Sequence, residues 1–240
     1  MVTSTILYLV LGSTVHELPG RAIDLLQQNY FMIKAVIFDF GGVIIELDMA
    51  QCFENLRALG IDFSAIPMLT LRDEDGESVT MSLMRMYNVG KISTDEFVDT
   101  LLKHSTKGTT RQQVVDAWNS CLLTILQYKL DFVDELRAEG YATFVLSNTN
   151  DLHWRYIEQN YGEKSVSTHF NRCFLSHEMG WMKPDSEIYK AMLRQIPYRA
   201  EECVFIDDSK KNCEVAETMG IRSCCVTVCT DYCEEVRRFL

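Results

Sequence analysis

Val36-Ile37-Phe38-Asp39-Phe40-Gly41-Gly42-Val43 is the stretch whose reading decides the fold. An apolar run ends in one carboxylate, and a glycine pair follows. A short apolar run bounded by glycine reads as a buried strand. An unpaired carboxylate inside a core loses several kcal/mol of hydration. It is tolerated at the C-terminal end of a strand, where an open α/β sheet has its ligand crevice. The glycines let the backbone turn sharply and approach a ligand. Asp39 is therefore expected to be a nucleophile or a metal ligand.

Outward from this strand, the two sides of the chain differ. On the C-terminal side, residues 49–59 place Cys52, Phe53, Leu56 and Leu59 at helical spacing, closed by Gly60. Residues 78–88 read as a second helix. Ser93-Thr94-Asp95-Glu96 is a capping box opening a third. Thr109 or Thr110 opens a fourth, carrying Val114, Val115, Trp118 and Leu122. Residues 49–125 are thus expected to be an all-helical insertion. Beyond it the pattern alternates. Helices are expected over 128–139, 151–161, 185–195 and 210–219. Strands are expected over 141–146, 172–175, 203–206 and 222–228, and a short helix closes the chain. Such alternation predicts an α/β fold, a doubly wound, Rossmann-like parallel sheet with helices on both faces.

On the N-terminal side, residues 1–31 precede Met32, which stands close to the first core strand. They read as an extension of doubtful role, with a helix over 18–28 as the competing reading. Ile6 to Leu11 is apolar but too short to span a bilayer, and no basic residue precedes it. The expected division is 1–31 extension, 32–48 with 126–240 as the α/β core, and 49–125 as a cap.

The 240 residues are 47% hydrophobic and 24% charged, as in soluble globular proteins. A net charge of −11, with no basic cluster to offset it, argues against a nucleic-acid partner. Nine irregularly spaced cysteines fit reduced thiols and a cytoplasmic location better than a disulfide framework. Five lie near the end, without the paired spacing of a metal site.

The chemistry collects at the ends of the predicted strands. Asp39 follows the first, Ser147 the second, and Asp207 and Asp208 the fourth. Lys183 lies in the loop after the third. A parallel sheet brings all these ends to one edge. Clustered carboxylates repel unless a cation sits among them, and oxygen ligands of this kind suit Mg²⁺. A hydroxyl and an ammonium can hold phosphoryl oxygens. A carboxylate ionised from its ordinary pKa of about 3.9 can attack phosphorus, dividing one hard step into two.

In these motifs the chain resembles the haloacid dehalogenase-like hydrolase superfamily. The motifs are Phe38-Asp39-Phe40-Gly41-Gly42-Val43, Leu146-Ser147-Asn148-Thr149, Lys183-Pro184 and Phe205-Ile206-Asp207-Asp208, in order across 34–220. The resemblance implies that Asp39 is nucleophile and metal ligand, and that Ser147, with backbone amides near Asn148, binds the phosphoryl group. It implies that Lys183 pairs with that group and orients Asp39. Asp208 would ligate Mg²⁺ directly, Asp207 directly or through water, and Gly41 through its carbonyl. The insertion is similar to the family's substrate-selecting helical cap. In most phosphatases of the superfamily a second Asp, the general acid/base, stands where this chain has Gly41. Such help is typically worth ~10²–10⁴ in rate. The Asp-x-Gly form resembles a subgroup acting on glucose 1-phosphate, whose anomeric oxygen leaves more readily. Glu46 and Asp48 are candidates to replace the missing acid.

The expected function is Mg²⁺-dependent hydrolysis of small phosphorylated metabolites such as sugar phosphates, through an aspartyl phosphate. The expected partner is a small phosphate ester, with no membrane. Two alternatives stand beside it: a 2-haloacid dehalogenase on the same scaffold, or a binding protein of little activity because of Gly41.

Overall fold

A computed structural model of the chain describes residues 8–11, 14–17, 32–72, 78–162, 164–228 and 230–240. The strands run in chain order as β1 Tyr8–Leu11, β2 Thr14–Glu17, β3 Ala35–Phe38, β4 Ile45–Leu47, β5 Leu69–Arg72, β6 Ser78–Met81, β7 Leu122–Ile125, β8 Ala142–Ser147, β9 Arg172–Leu175, β10 Cys203–Asp207 and β11 Arg222–Cys225. Five of them form the central sheet in the order β11-β10-β3-β8-β9. Every pairing in it is parallel. β3, which carries the opening stretch, lies at its centre.

The strands alternate between two cores. Val36, Phe38, Val145, Val204 and Ile206 point into one apolar cluster. Ala35, Ile37, Phe144, Leu146 and Phe205 point into the other. Both faces are covered, which is why these strands read as continuous apolar runs and not as alternations. The helix Gln127–Ala138 covers the first face with Leu130, Phe132, Val133 and Leu136. The helix Ser186–Leu193 covers the second with Ile188, Tyr189 and Met192.

The first cluster does not stop at the sheet. It runs on into the inserted segment through Cys52, Leu56, Tyr87, Phe97, Val98, Leu101, Val114 and Trp118. Four helices of this segment form as expected, over Met49–Ala58, Leu83–Asn88, Thr94–Lys103 and Arg111–Asn119. The capping box at Ser93 and Glu96 is present, and Thr110 forms a second with Gln113.

The segment is not all-helical, however. β5 and β6 pair antiparallel within it. Residues 78–81, expected in a helix, are a strand. The helix starts only at Leu83, where the Ser82 hydroxyl accepts from the Arg85 amide at 3.3 Å. Ser78-Val79-Thr80-Met81 alternates at period two and is β-branched at its centre, and that local preference prevails. At the base of the segment, Leu122–Ile125 is also a strand, not a helix end, and pairs antiparallel with β4. Near the N-terminus β1 and β2 pair antiparallel. The helix considered over 18–28 lies outside the described residues. Among the described residues, no helix is long and apolar enough to cross a membrane.

Candidate active site

The sheet places the charged groups. The Asp39 amide continues the ladder by donating to the Ile206 carbonyl at 2.7 Å, which fixes the residue just past β3. Asp207 is the last residue of the neighbouring β10, and Asp208 follows it. One carboxylate oxygen from each of Asp39, Asp207 and Asp208 lies within 4.8 Å of the others. Among the described residues this is the group of side chains able to hold a metal ion.

Lys183 sits between two of them. Its Nζ is 2.9 Å from Asp39 Oδ1 and 2.7 Å from Asp207 Oδ2. It is 2% exposed, Asp39 8% and Asp207 0%. Burial pulls the Lys183 ammonium down, but the two carboxylates outweigh it and hold its pKa above the ordinary value. Burial pushes the Asp39 carboxyl up to about 7, against the pull of Lys183 and with the repulsion of Asp207. The expectation of a freely ionised Asp39 therefore needs a correction. Burial opposes the charged form of Asp39 even with Lys183 beside it, and a divalent cation at the site would favour that form. Burial also raises the pKa of Asp208, with Asp207 adding to the effect. Raised pKa values in a buried carboxylate group mark a place that gains from a divalent cation.

Each member is braced. Asp39 Oδ1 accepts from the Phe40 amide at 2.6 Å. Asp207 accepts from the Ser209 amide at 2.7 Å and from Asn212 Nδ2 at 3.0 Å. Both come from the start of the helix Lys210–Thr218. With Lys183 on Oδ2, both oxygens of Asp207 are engaged. Asp208 is the less encumbered carboxylate of the pair. Gly42 has φ +77°, and an added Cβ would stand 2.7 Å from Asp208 Oδ2. The second glycine of the opening stretch thus makes room for Asp208.

The Asn148 side chain braces the Lys183 loop. Its Oδ1 accepts from the Lys183 amide at 2.7 Å, and its Nδ2 donates to the Lys183 carbonyl at 2.8 Å. The side chain is occupied in pinning the Lys183 loop. Ser147, 3% exposed, ends β8 on the same sheet edge. Ser176, also buried, accepts from the Thr149 amide at 2.9 Å and steadies the turn after Ser147. Sequence reading missed Asn212 and Ser176. Asn212 carried a signal, standing five residues past a strand-end aspartate in the first turn of a helix. Ser176 carried none.

Gly41 lies against the Leu47 side chain of β4. A Cβ there would meet Leu47 Cδ1 at 2.7 Å. Glu46, on β4 before Leu47, is half-buried. The Asp48 carboxylate caps the helix Met49–Ala58, accepting from the Gln51 amide at 2.9 Å. His177 lines a cavity of about 550 Å³ with Tyr87, Thr94, Asp151 and Arg155, and Asp39, Asp207 and Asp208 are not part of that lining. Trp118 and Trp154 are packing residues, stacked on His153 and edge-on to Phe40.

The family described as haloacid dehalogenase-like hydrolase matches residues 33–220. The chain belongs to this family. It is 28% identical over 195 residues to the D-ribitol-5-phosphate phosphatase of Bacteroides thetaiotaomicron, covering 80% of this chain and 91% of that protein. It is 25% identical over 213 residues to a sesquiterpene phosphatase of Aspergillus oryzae, covering 86% and 96%. Among solved structures it is similar to a haloacid dehalogenase family enzyme of B. thetaiotaomicron in complex with magnesium and inorganic phosphate. The TM-score is 0.72 at 35% identity, over 83% of this chain and 97% of that one. A family hydrolase of Porphyromonas gingivalis gives 0.74 at 29% identity, over 86% and 97%. The chain is thus a hydrolase of the haloacid dehalogenase-like family, and of its phosphatase type.

Proposed function

We propose that this hydrolase cleaves small, hydroxylated phosphate monoesters of the sugar- or polyol-phosphate kind, with Mg²⁺ bound at Asp39, Asp208 and the Gly41 carbonyl. The supporting observation is the Lys183 ammonium, buried between Asp39 and Asp207. The residues fit the ion. Three carboxylates share one small space, and one ammonium cannot neutralise all of them. Bound there, Mg²⁺ would neutralise phosphoryl oxygens and favour the ionised form of Asp39.

The chain's own groups do the rest. Asp39 is held by the Phe40 amide through Oδ1, the oxygen that also faces Lys183. Its other oxygen is the one available to attack phosphorus. Attack forms the Asp39–phosphorus bond and breaks the bond from phosphorus to the ester oxygen. Ser147 and the backbone amides near Asn148 hold the non-bridging oxygens, and Lys183 balances their charge. Water then attacks phosphorus, releasing phosphate and restoring Asp39. With Gly41 in place of an acid, the alcohol departs with little protonation from this side. Among these substrates we therefore read the enzyme as turning over anomeric sugar phosphates faster than unactivated polyol phosphates. A hydroxylated substrate accords with the D-ribitol-5-phosphate phosphatase relative. The dehalogenase alternative is not favoured, since the two curated relatives described above are phosphatases.

The test is phosphate release from p-nitrophenyl phosphate and from a panel of phosphorylated metabolites, with and without Mg²⁺. Release that needs Mg²⁺ and is lost in Asp39→Asn is expected. Metal-independent halide release from a 2-haloacid, or no turnover of any ester, would overturn the reading.

A further inference from the structure

Cys213 and Cys225 meet beside the carboxylate site. Cys213 lies in the first turn of the helix Lys210–Thr218 and is 4% exposed. Cys225 ends β11 and is exposed. The two thiols share a hydrogen bond. The surrounding contacts fix that meeting. The Cys213 thiol donates to the Asp207 carbonyl at 3.6 Å, and the Val226 amide donates to the same carbonyl at 3.0 Å. Cys225 immediately precedes Val226 and is the register partner of Asp207. Ser223, two residues back on the same face of β11, donates through Oγ to the Cys213 carbonyl at 3.2 Å. Cys224, between them, turns into the first apolar cluster.

The pair has the parts of a thiol switch. The exposed thiol can meet a small oxidant, and the buried one stands ready to resolve it. Two sulfurs in hydrogen-bond contact need a modest approach to reach the S–S length of about 2.05 Å. The pair also touches the catalytic end of β10. Cys213 follows Asn212, whose Nδ2 holds the Asp207 carboxylate, while the Cys213 thiol holds the Asp207 carbonyl. Asp207 in turn holds Lys183. Drawing Cys213 toward Cys225 takes its thiol off that carbonyl and shifts the turn that carries Asn212.

We propose that Cys213 and Cys225 are a redox-modification site, at which a hydroperoxide closes a disulfide that reversibly lowers hydrolysis. The Cys225 sulfur attacks a peroxide oxygen, and the O–O bond breaks. The Cys225 proton passes to the departing oxygen, so the hydroperoxide is reduced to an alcohol or water and Cys225 becomes a sulfenic acid. The Cys213 sulfur then attacks the Cys225 sulfur. The S–S bond forms, the S–O bond breaks, and the hydroxyl leaves with the Cys213 proton as water. Two electrons have passed from the thiols to the peroxide, and a dithiol reductant returns them. The modification stands on the thiol geometry, while its effect on turnover rests on the phosphatase reading above.

The experiment treats the reduced protein with hydrogen peroxide, maps its cysteine linkages by mass spectrometry, and follows turnover of p-nitrophenyl phosphate with Mg²⁺ in parallel. The expected result is a Cys213–Cys225 linkage and a fall in kcat/KM of about tenfold, the scale for disturbing the partners behind a metal site. Dithiothreitol should reverse both. Cys225→Ser should keep its turnover through the same treatment. No linkage between these two residues, a linkage that leaves turnover unchanged, or an equal loss in Cys225→Ser would each overturn the inference and leave the phosphatase reading standing. A reduced protein that turns over no ester removes that reading. The linkage and the Mg²⁺ affinity of the reduced and linked forms, measured by calorimetry, then decide the inference. Weaker affinity in the linked form supports it, and no linkage or equal affinity overturns it.

Discussion

The ammonium of Lys183 stands 2.9 Å from Asp39 Oδ1, and both side chains are almost wholly withdrawn from water. The same ammonium reaches Asp207 at 2.7 Å. One cation thus holds together the end of the central strand and the end of its neighbour. Lys183→Met would leave two buried carboxylates facing each other. Breaking a buried ion pair from one side costs about 3–5 kcal/mol. The expected outcome is a large drop in melting temperature in chelator, partly recovered with millimolar Mg²⁺. The same variant should lose about 10²-fold or more in kcat, the scale for removing one preorganised donor. Thermal melts at two Mg²⁺ concentrations and steady-state rates check both.

Asp39 gives a pH dependence with a definite sign. Its carboxyl has an ordinary pKa of 3.8 and is pushed up to about 7 by burial in the metal-free fold. Between these values the native state holds a proton that the unfolded chain has lost. Stability of the metal-free protein therefore falls, through this group, as pH rises from about 4 through about 7. On the proposed assignment of Asp39 as a ligand, Mg²⁺ displaces that proton, and its affinity is expected to grow with pH over the same upper range. Calorimetry at pH 6 in two buffers of different ionisation enthalpy should show proton release on Mg²⁺ binding. No release would contradict the assignment of Asp39 as a ligand.

Gly42→Ala tests the space kept for Asp208. The residue has φ +77°, and its new Cβ would meet Asp208 Oδ2 at 2.7 Å. A non-glycine residue in a sparsely populated conformation costs about 1–3 kcal/mol. Asp208 must also move. We expect the Mg²⁺ concentration for half-maximal activity to rise at least tenfold, with a smaller change in melting temperature. A stability loss with an unchanged Mg²⁺ requirement would separate Asp208 from the metal.

His153 sets an acid limit. It is buried against Trp118, within 3.2 Å of Asn150 Nδ2, and its pKa falls to about 4 because burial disfavours the imidazolium. From its ordinary 6.5 down to about 4, the unfolded chain takes up a proton that the native state refuses. Stability is thus lost as pH falls through that window, by up to about 3 kcal/mol from this residue. In His153→Gln the slope of stability against pH between 7 and 4.5 should be shallower. Denaturant melts at several pH values, with Mg²⁺ constant, measure it.

What could be read from the sequence followed from local patterns. β3 and β10 were legible because both faces of the sheet are covered and their residues run apolar up to the strand end, and β8 is broken only by Thr143 before its last residue. Their ends, with the loop after β9, then put Asp39, Ser147, Lys183 and Asp207 on one edge. The hairpin of β5 and β6 was missed because Met81, Leu83, Met84 and Tyr87 can be placed on one helical face. That spacing was given more weight than the alternation of residues 78–81. The braces were not legible for a different reason. Asn148 on Lys183, Ser176 on Thr149 and Trp118 on Asn150 join segments 27 to 35 residues apart. No local pattern announces such pairs. The ordinary pKa assumed for Asp39 failed likewise, since its burial depends on neighbours from other strands.

The apolar cluster that passes from the sheet into the inserted segment also bears on how the protein comes apart. Cut out, residues 49–125 would part Trp118 from the His153 ring it stacks on and Tyr87 from the Leu152 amide whose hydrogen bond it accepts. Neither piece is then a detachable module. A single cooperative melt is expected of the whole, and grafting this segment onto another scaffold would demand that the host supply the missing half of the cluster.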